Sequence, residues 1–265
     1  MKKPREKKRP TRLTTEVEKR LLREYDKSER RLLLLDYDGT LVPFFGNPEE
    51  AQPGFHITQL LEALTDDPKN EVVILSGRDQ HTLDTWFQHL NLSLVAEHGV
   101  WLKEMKWEMM EPLTKEWKEE IRPILELYAK RTPGSFIEEK KFSLVWHYRE
   151  TDPELGIMRV RELTHELKNP TMNLNLQILE GNKVVEVKTS GIDKGRAALR
   201  WIGEKRWNFI LAIGDDRTDE DTFKVLPEYA YSVKVGLGSS LARYNLKSQG
   251  DVLPLLKKLA SQRVR

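Results

Sequence analysis

Two aspartates separated by a single residue, in Asp36-Tyr37-Asp38-Gly39-Thr40, directly follow the apolar run Arg31-Leu32-Leu33-Leu34-Leu35. Alternate residues of an extended segment point the same way, so Asp36 and Asp38 can line one pocket. Gly39 then lets the backbone turn away sharply. Such a pair suits phosphate-ester chemistry, in which one carboxylate attacks phosphorus and its neighbour protonates the leaving oxygen. The competing reading is an Asp-x-Asp-Gly turn or part of a calcium loop. A calcium loop would need further oxygen ligands, notably an acidic residue at its end, and the chain does not supply them.

A second acidic cluster, Gly214-Asp215-Asp216-Arg217-Thr218-Asp219-Glu220-Asp221, follows the apolar run Phe209-Ile210-Leu211-Ala212-Ile213. Carboxylates gathered beside Asp36 repel one another unless a cation lies among them. All-oxygen donors favour a hard ion such as Mg²⁺, which also neutralises phosphate charge. The alternative is an acidic helix N-terminus, favourable with the dipole. Ser76-Gly77-Arg78 follows the run Glu71-Val72-Val73-Ile74-Leu75, where a hydroxyl and backbone N–H groups at a helix start can hold phosphate oxygens. Ser-Gly is also an ordinary turn. Lys194-Gly195 puts a lysine at a predicted helix start, against the macrodipole, although a solvated lysine fits there too.

The elements that position these groups follow from periodicity. Short continuous apolar runs suit buried parallel strands, here at 31–35, 71–75, 92–96 and 209–213. Helices are predicted after Thr15 (a capping box with Glu18), around 57–64, 83–90 and 194–201. This alternation predicts an α/β fold with a parallel sheet, and such sheets place ligands at the carboxyl ends of their strands. Between Trp107 and Glu186 the pattern changes. It predicts a helix over 113–128, one half-exposed antiparallel strand over 137–148, a helix over 155–167 and strands at 174–179 and 184–187. The expected organisation is a basic tail and lead helix (1–29), a core (30–108 plus 186–265) and an inserted α+β cap (109–185).

Composition narrows the class. Lys+Arg number 44 and Asp+Glu 42, a near balance that gives no case for nucleic-acid or membrane binding. No cysteine is present, which excludes a disulfide framework, a thiolate metal site and a Cys nucleophile. No apolar run approaches the roughly 20 residues of a membrane span. The basic N-terminus lacks a signal-peptide core and reads as a solvated tail, so a cytoplasmic protein is the default.

Taken in order, these motifs resemble the haloacid dehalogenase-like phosphohydrolases, and more narrowly the trehalose-6-phosphate phosphatases. Leu34-Leu35-Asp36-Tyr37-Asp38-Gly39-Thr40-Leu41, Ser76-Gly77-Arg78, Ala96-Glu97-His98-Gly99, His147-Tyr148-Arg149, Glu186-Val187-Lys188, Lys194-Gly195 and the 214–221 cluster all look like that family. Thr189 stands where many members have Pro. The resemblance implies a Rossmann-like parallel-sheet core with an inserted α+β cap. It implies Asp36 as the nucleophile that becomes an aspartyl phosphate and Asp38 as general acid, then base. Ser76 and Lys194 would hold the phosphoryl group. Asp36, Asp215 and the backbone carbonyl of Asp38 would bind Mg²⁺, supported by Asp219 and Asp216. Lys188 is a second basic candidate.

Substrate choice is expected in a cap that closes over the sugar, with Glu138 and Lys140 as the sugar-reading pair and Arg78, Glu97 and His98 as further substrate contacts. The lead segment 13–31 resembles the join in fused trehalose synthase–phosphatase proteins, which implies either the phosphatase portion of a longer protein or a free-standing relative of one, with association with or fusion to a synthase as the expected partnership. Trehalose 6-phosphate is the implied substrate. Another sugar phosphate such as sucrose 6-phosphate, and a catalytically silent regulatory domain, are the alternatives. A phosphoacceptor receiver domain fits neither the Asp-x-Asp pair nor the cap.

Overall fold

Every residue of the run that follows Arg30 is buried, because the strand it forms is paired on both edges and covered on both faces. The computed structural model of the chain describes residues 6–204 and 206–264. It has two compact units, one formed by the described residues up to Met110 and from Asp193 onward, the other by Glu111–Ile192.

The first part of the larger unit runs β1 (Thr11–Arg12), α1 (Thr15–Lys27), β2 (Arg31–Asp36), α2 (Phe55–Thr65), β3 (Asn70–Leu75), α3 (Gln80–Phe87), β4 (Ser93–Ala96), β5 (Trp101–Lys103) and β6 (Trp107–Met109). The smaller unit holds α4 (Lys118–Arg131), β7 (Phe136–Glu139), β8 (Ser143–His147), α5 (Pro153–Asn173), β9 (Leu176–Gly181) and β10 (Val184–Thr189). The larger unit then resumes with α6 (Lys194–Glu204), β11 (Phe209–Gly214), α7 (Asp219–Val225), β12 (Tyr231–Val235), β13 (Tyr244–Leu246) and α8 (Val252–Ala260).

Nine strands form the larger unit's sheet in the order β1-β13-β12-β11-β2-β3-β4-β5-β6, parallel from β1 through β4 and closed at one edge by the antiparallel β5–β6 hairpin. One face packs Leu32, Leu34, Val73 and Ile210 against Ala197, Ala198 and Trp201 of α6 and Phe223 of α7. Arg31 begins β2 without breaking the core, since its guanidinium donates to Ser28 O at 2.8 Å and to Asp67 at 2.9 Å. From β2 the chain moves to β3 on one side, while β11 flanks it on the other. That reversal lies at the carboxyl ends of β2 and β11, the place where α/β sheets bind ligands.

The smaller unit is a four-stranded antiparallel sheet, ordered β7-β8-β10-β9. One face places Leu144, Trp146, Val185 and Val187 in a core with Ile121 and Leu125 of α4 and Leu163 and Leu167 of α5. The mixed α/β fold with a largely parallel central sheet is the class expected from the alternation of patterns.

Several local expectations change. The α1 cap is Thr14 rather than Thr15, its hydroxyl accepting from Val17 N at 3.4 Å. The 137–148 stretch is a hairpin rather than one strand, because the chain turns at Lys140, whose N–H donates to Ser143 O. The helix expected from residue 113 starts at Lys118. The unit boundary expected after residue 185 falls after Ile192, since Glu186 and Lys188 belong to β10, paired on both edges within the smaller sheet. Of the basic tail, residues 1–5 lie outside the described residues. Beyond them the segment is not merely solvated: Lys8 exchanges backbone hydrogen bonds with Ser240 at 2.9 and 2.8 Å, and β1 pairs in parallel with β13. No described helix is long and apolar enough to cross a membrane.

Candidate active site

Strand register assembles the site before any side chain is considered. Leu35 pairs with Ile213 and Asp36 with Leu75, so Asp36, Asp215 and Ser76 stand at the neighbouring carboxyl ends of β2, β11 and β3. Two glycines make room. Gly39 adopts a φ of +81°, and a Cβ there would run into the Asp215 carboxylate. A Cβ on Gly214 would occupy the space of the Asp219 side chain.

Lys194 opens α6 and is buried, with Nζ donating to Asp36 Oδ1 at 2.6 Å and to Asp219 Oδ1 at 2.8 Å. Carboxylate oxygens of Asp36, Asp215 and Asp219 lie within 4.8 Å of one another. Asp219 spends both oxygens within the protein, its Oδ2 accepting from Asp216 N at 3.0 Å. Asp36 Oδ2 and Asp215 Oδ1 are buried with no hydrogen-bond partner. One lysine against three carboxylates leaves the cluster electrostatically short of cation. Burial, then the charge of Asp219, pushes Asp36 up to about 7, with Lys194 pulling the other way. Burial and the charges of Asp36, Asp219 and Asp216 push Asp215 up to about 9. Burial alone would lower the Lys194 ammonium, but Asp219 and Asp36 outweigh it and raise it, so it stays charged.

The remaining sequence candidates fall into three groups, two in the larger unit and one in the smaller. Ser76 is buried and its hydroxyl accepts from Arg78 N at 3.1 Å, which closes the turn after β3. Arg78 does not stand apart as a substrate contact: its guanidinium grips both oxygens of Asp38 at 2.6 and 2.9 Å and also reaches Pro48 O. Glu97 and His98 sit behind the same turn. Glu97 N donates to Arg78 O and His98 N to Ser76 O, both at 2.9 Å. Their backbones are left-handed, with φ of 47° and 55°, a strained pair of the kind that clusters at functional sites. Asp216 turns its carboxylate to Arg217 N at 2.6 Å and is outside the close triad.

Glu138, Lys140 and Lys188 belong to the smaller unit. Side-chain alternation and register align Glu138 with Val145 and Glu186, so they share one sheet face, opposite the face that buries Trp146. Lys188, paired with Ser143, lies on that face too. Glu138 is 2.8 Å from His147 Nε2 and 4.0 Å from Lys140 Nζ. Burial would raise its carboxyl, yet Lys140 and His147 together hold it below the usual range. His147 stacks on Phe136 at 4.5 Å and reads as a support for Glu138. Glu186 is the residue that sequence reasoning left out of the candidate set. Its spacing of two from Lys188 was the available signal, but only the strand register puts it in line with Glu138.

The trehalose-phosphatase family model matches residues 34–248. A bifunctional trehalose-6-phosphate synthase/phosphatase of Thermoproteus tenax is 40% identical over 242 residues, covering 91% of this chain and 33% of that protein. A trehalose-phosphatase of Saccharomyces cerevisiae is 37% identical over 231 residues, covering 78% of this chain and 26% of its own length. The chain thus spans about a third or less of the curated relatives it matches. The C-terminal domain of C. albicans trehalose-6-phosphate phosphatase superposes with a TM-score of 0.89 at 32% identity, covering 96% of this chain and 99% of that one. The family model spans the strand-end motifs from Asp36 to Asp219, and the chain belongs to the trehalose-phosphatase family.

Proposed function

We propose that the chain hydrolyses trehalose 6-phosphate to trehalose and phosphate, with Asp36 as nucleophile and Mg²⁺ as cofactor. The observation that carries this reading is the buried pair of unpartnered oxygens, Asp36 Oδ2 and Asp215 Oδ1, beside a lysine already committed to Asp36 and Asp219. Two such acceptors in an all-oxygen cluster fit a hard divalent cation held by Asp36 and Asp215, with the Asp38 carbonyl as a further donor. When bound, Mg²⁺ neutralises phosphate charge. Asp219 supports the site by holding Lys194.

In the first step Asp36 attacks phosphorus in line, and Asp38 protonates the departing sugar oxygen. Asp38 then takes a proton from water, the water oxygen bonds to phosphorus, and the bond to Asp36 breaks to release phosphate. Lys194 and Ser76 steady the transferring group. Arg78 must let go of Asp38 for this to happen, and an incoming phosphate dianion is a competing partner for its guanidinium. Acid-quenched protein after mixing with substrate should carry phosphate on Asp36, and a chain labelled elsewhere or nowhere would contradict the assignment.

The two units then read as catalytic core and specificity cap, with Glu138, Lys140, Glu186 and Lys188 on the sheet face that reads sugar hydroxyls. Glu138→Ala should lower kcat/KM for trehalose 6-phosphate by about 10- to 100-fold, the worth of a hydrogen bond to a charged group. Turnover of p-nitrophenyl phosphate should stay within about threefold. Equal losses on both substrates would remove Glu138 from sugar reading. Association with, or fusion to, a trehalose-6-phosphate synthase belongs to the same proposal, since the Thermoproteus relative is named as bifunctional. So does a cytoplasmic location.

Cation binding has a signature independent of turnover. Asp36 and Asp215 are raised in the folded state to about 7 and about 9, so their folded forms retain protons that the unfolded chain has lost. Stability from these groups is full at low pH and lost as pH rises through those values. Without divalent cation, the melting temperature should fall between about pH 5 and pH 9. Mg²⁺ should raise it more at the alkaline end, where both carboxylates ionise to meet the ion. A Mg²⁺ shift of equal size at both ends would count against binding at this cluster.

A further inference from the structure

Glu220 follows Asp219 in α7 and takes no part in the mechanism above, yet it is a buried carboxylate with both oxygens used. Oε1 accepts from Ser240 Oγ at 2.7 Å and Oε2 from Leu241 N at 2.7 Å. The loop it grips is itself fixed from two sides. Ser240 Oγ accepts from Ala242 N at 3.0 Å, and the Ser240 backbone exchanges two hydrogen bonds with Lys8. Lys7 Nζ stands 3.8 Å from Glu220, a partly exposed cation facing the same carboxylate. A continuous set of contacts therefore runs from Lys8, just ahead of β1, through the 240–242 loop to Glu220. The preceding residue is Asp219, whose oxygens hold Lys194 Nζ and Asp216 N.

We propose that Glu220 is a positioning residue for phosphoryl transfer. By tying α7 to the loop that the leader segment holds, it sets where Asp219 presents Lys194 to Asp36. The physical case rests on the shortness of α7. It has seven residues, Asp219–Val225, too few for its own backbone bonds to fix its first turn. A charge-assisted pair of hydrogen bonds made by a buried side chain is strong enough to do so. A buried carboxylate is also costly to keep unless its partners stay in place, so the 240–242 loop and α7 move together or not at all. Segment 7–13 thereby becomes part of the catalytic unit, although it lies far from Asp36 in sequence.

This inference rests on the reading of Asp36, Lys194 and Asp219 as catalytic centre, and the test separates the two. In the full chain, Glu220→Ala, Glu220→Gln, Ser240→Ala and Lys8→Pro are compared for kcat and KM. Mg²⁺ affinity is measured by calorimetry without substrate, and melting temperature serves to scale for folded protein. Lys8→Pro deletes the backbone donor to Ser240. Glu220→Ala should lower kcat and Mg²⁺ affinity on the order of 10-fold each with little change in KM, as removal of a group behind a metal site typically does. Glu220→Gln keeps an acceptor oxygen and should recover most of the loss. Ser240→Ala and Lys8→Pro should fall between. If folded Glu220→Ala keeps kcat and Mg²⁺ affinity within about twofold of the parent, well short of that effect, the positioning role is wrong. If the parent binds Mg²⁺ yet hydrolyses no ester, the proposed function fails, and calorimetry still decides the role of Glu220.

Discussion

Replacing Asp36 with asparagine should remove turnover by a factor on the order of 10⁴ or more, the scale on which loss of a nucleophile is felt. The amide keeps the shape of the side chain and an oxygen for Lys194, which lies 2.6 Å away. It lacks the charge and the electron pair needed to displace a sugar alkoxide. The fold should not suffer. Asp36 is raised to about 7 in a crowd of carboxylates, so a neutral residue there relieves repulsion in the metal-free protein at alkaline pH. Its melting temperature without Mg²⁺ should therefore equal or exceed that of the parent near pH 8, with its Mg²⁺ response reduced. Parent-like turnover, with reversion to aspartate excluded by mass, would refute the nucleophile assignment.

Lys194→Ala is expected to damage both chemistry and stability. The side chain is among the largest fully buried ones in the chain, and it compensates two buried carboxylates at 2.6 and 2.8 Å. Removing one partner of a buried pair typically costs about 3–5 kcal/mol, because the charge left behind has neither water nor counter-ion. Asp36, already raised to about 7, can escape part of that cost by taking up a proton, so the destabilisation should be larger at pH 8 than at pH 5. Turnover should fall by about 10²- to 10³-fold, the usual consequence of deleting a preorganised charge at a reacting centre. Mg²⁺ should recover some of the lost melting temperature and little of the rate. A variant as stable as the parent at both pH values would show that the lysine is not the cluster's counter-ion. Arginine is no substitute there, since its planar fork does not fit a site built for a compact ammonium between two oxygens.

The contrast between what the sequence discloses and what it hides has physical causes. β2, β3 and β11 are legible because strands buried on both faces must be apolar throughout, and their ends are marked by an abrupt change to Asp, Ser or Gly-Asp. The short β5–β6 hairpin carries charged residues on its outer positions and gives no such run. Asp36, Lys194, Asp215 and Asp219 were readable as separate clusters, while the sharing of Lys194 between Asp36 and Asp219 depends on how α6 and α7 meet. The grip of Arg78 on Asp38 joins residues 40 apart and has no periodic signature. Glu186 and Glu220 stand within legible motifs, but their placement has no such signature, since one is set by strand register and the other by a loop that the leader segment pins. The single strand expected over 137–148 failed because apolar alternation resumes after the turn at Lys140, and alternation alone does not reveal a reversal of direction.

The most direct test of the whole account is phosphate release from trehalose 6-phosphate with Mg²⁺, run beside sucrose 6-phosphate and glucose 6-phosphate. Release should stop on chelation, with kcat/KM for the trehalose ester on the order of 10²-fold or more above the others, since a site that pairs polar groups with substrate hydroxyls rejects esters that leave them unpaired. Equal or faster release from another ester would contradict the substrate while leaving the chemistry. Release from none of them, by folded protein that binds Mg²⁺, would contradict the enzyme itself and point to a silent regulatory domain.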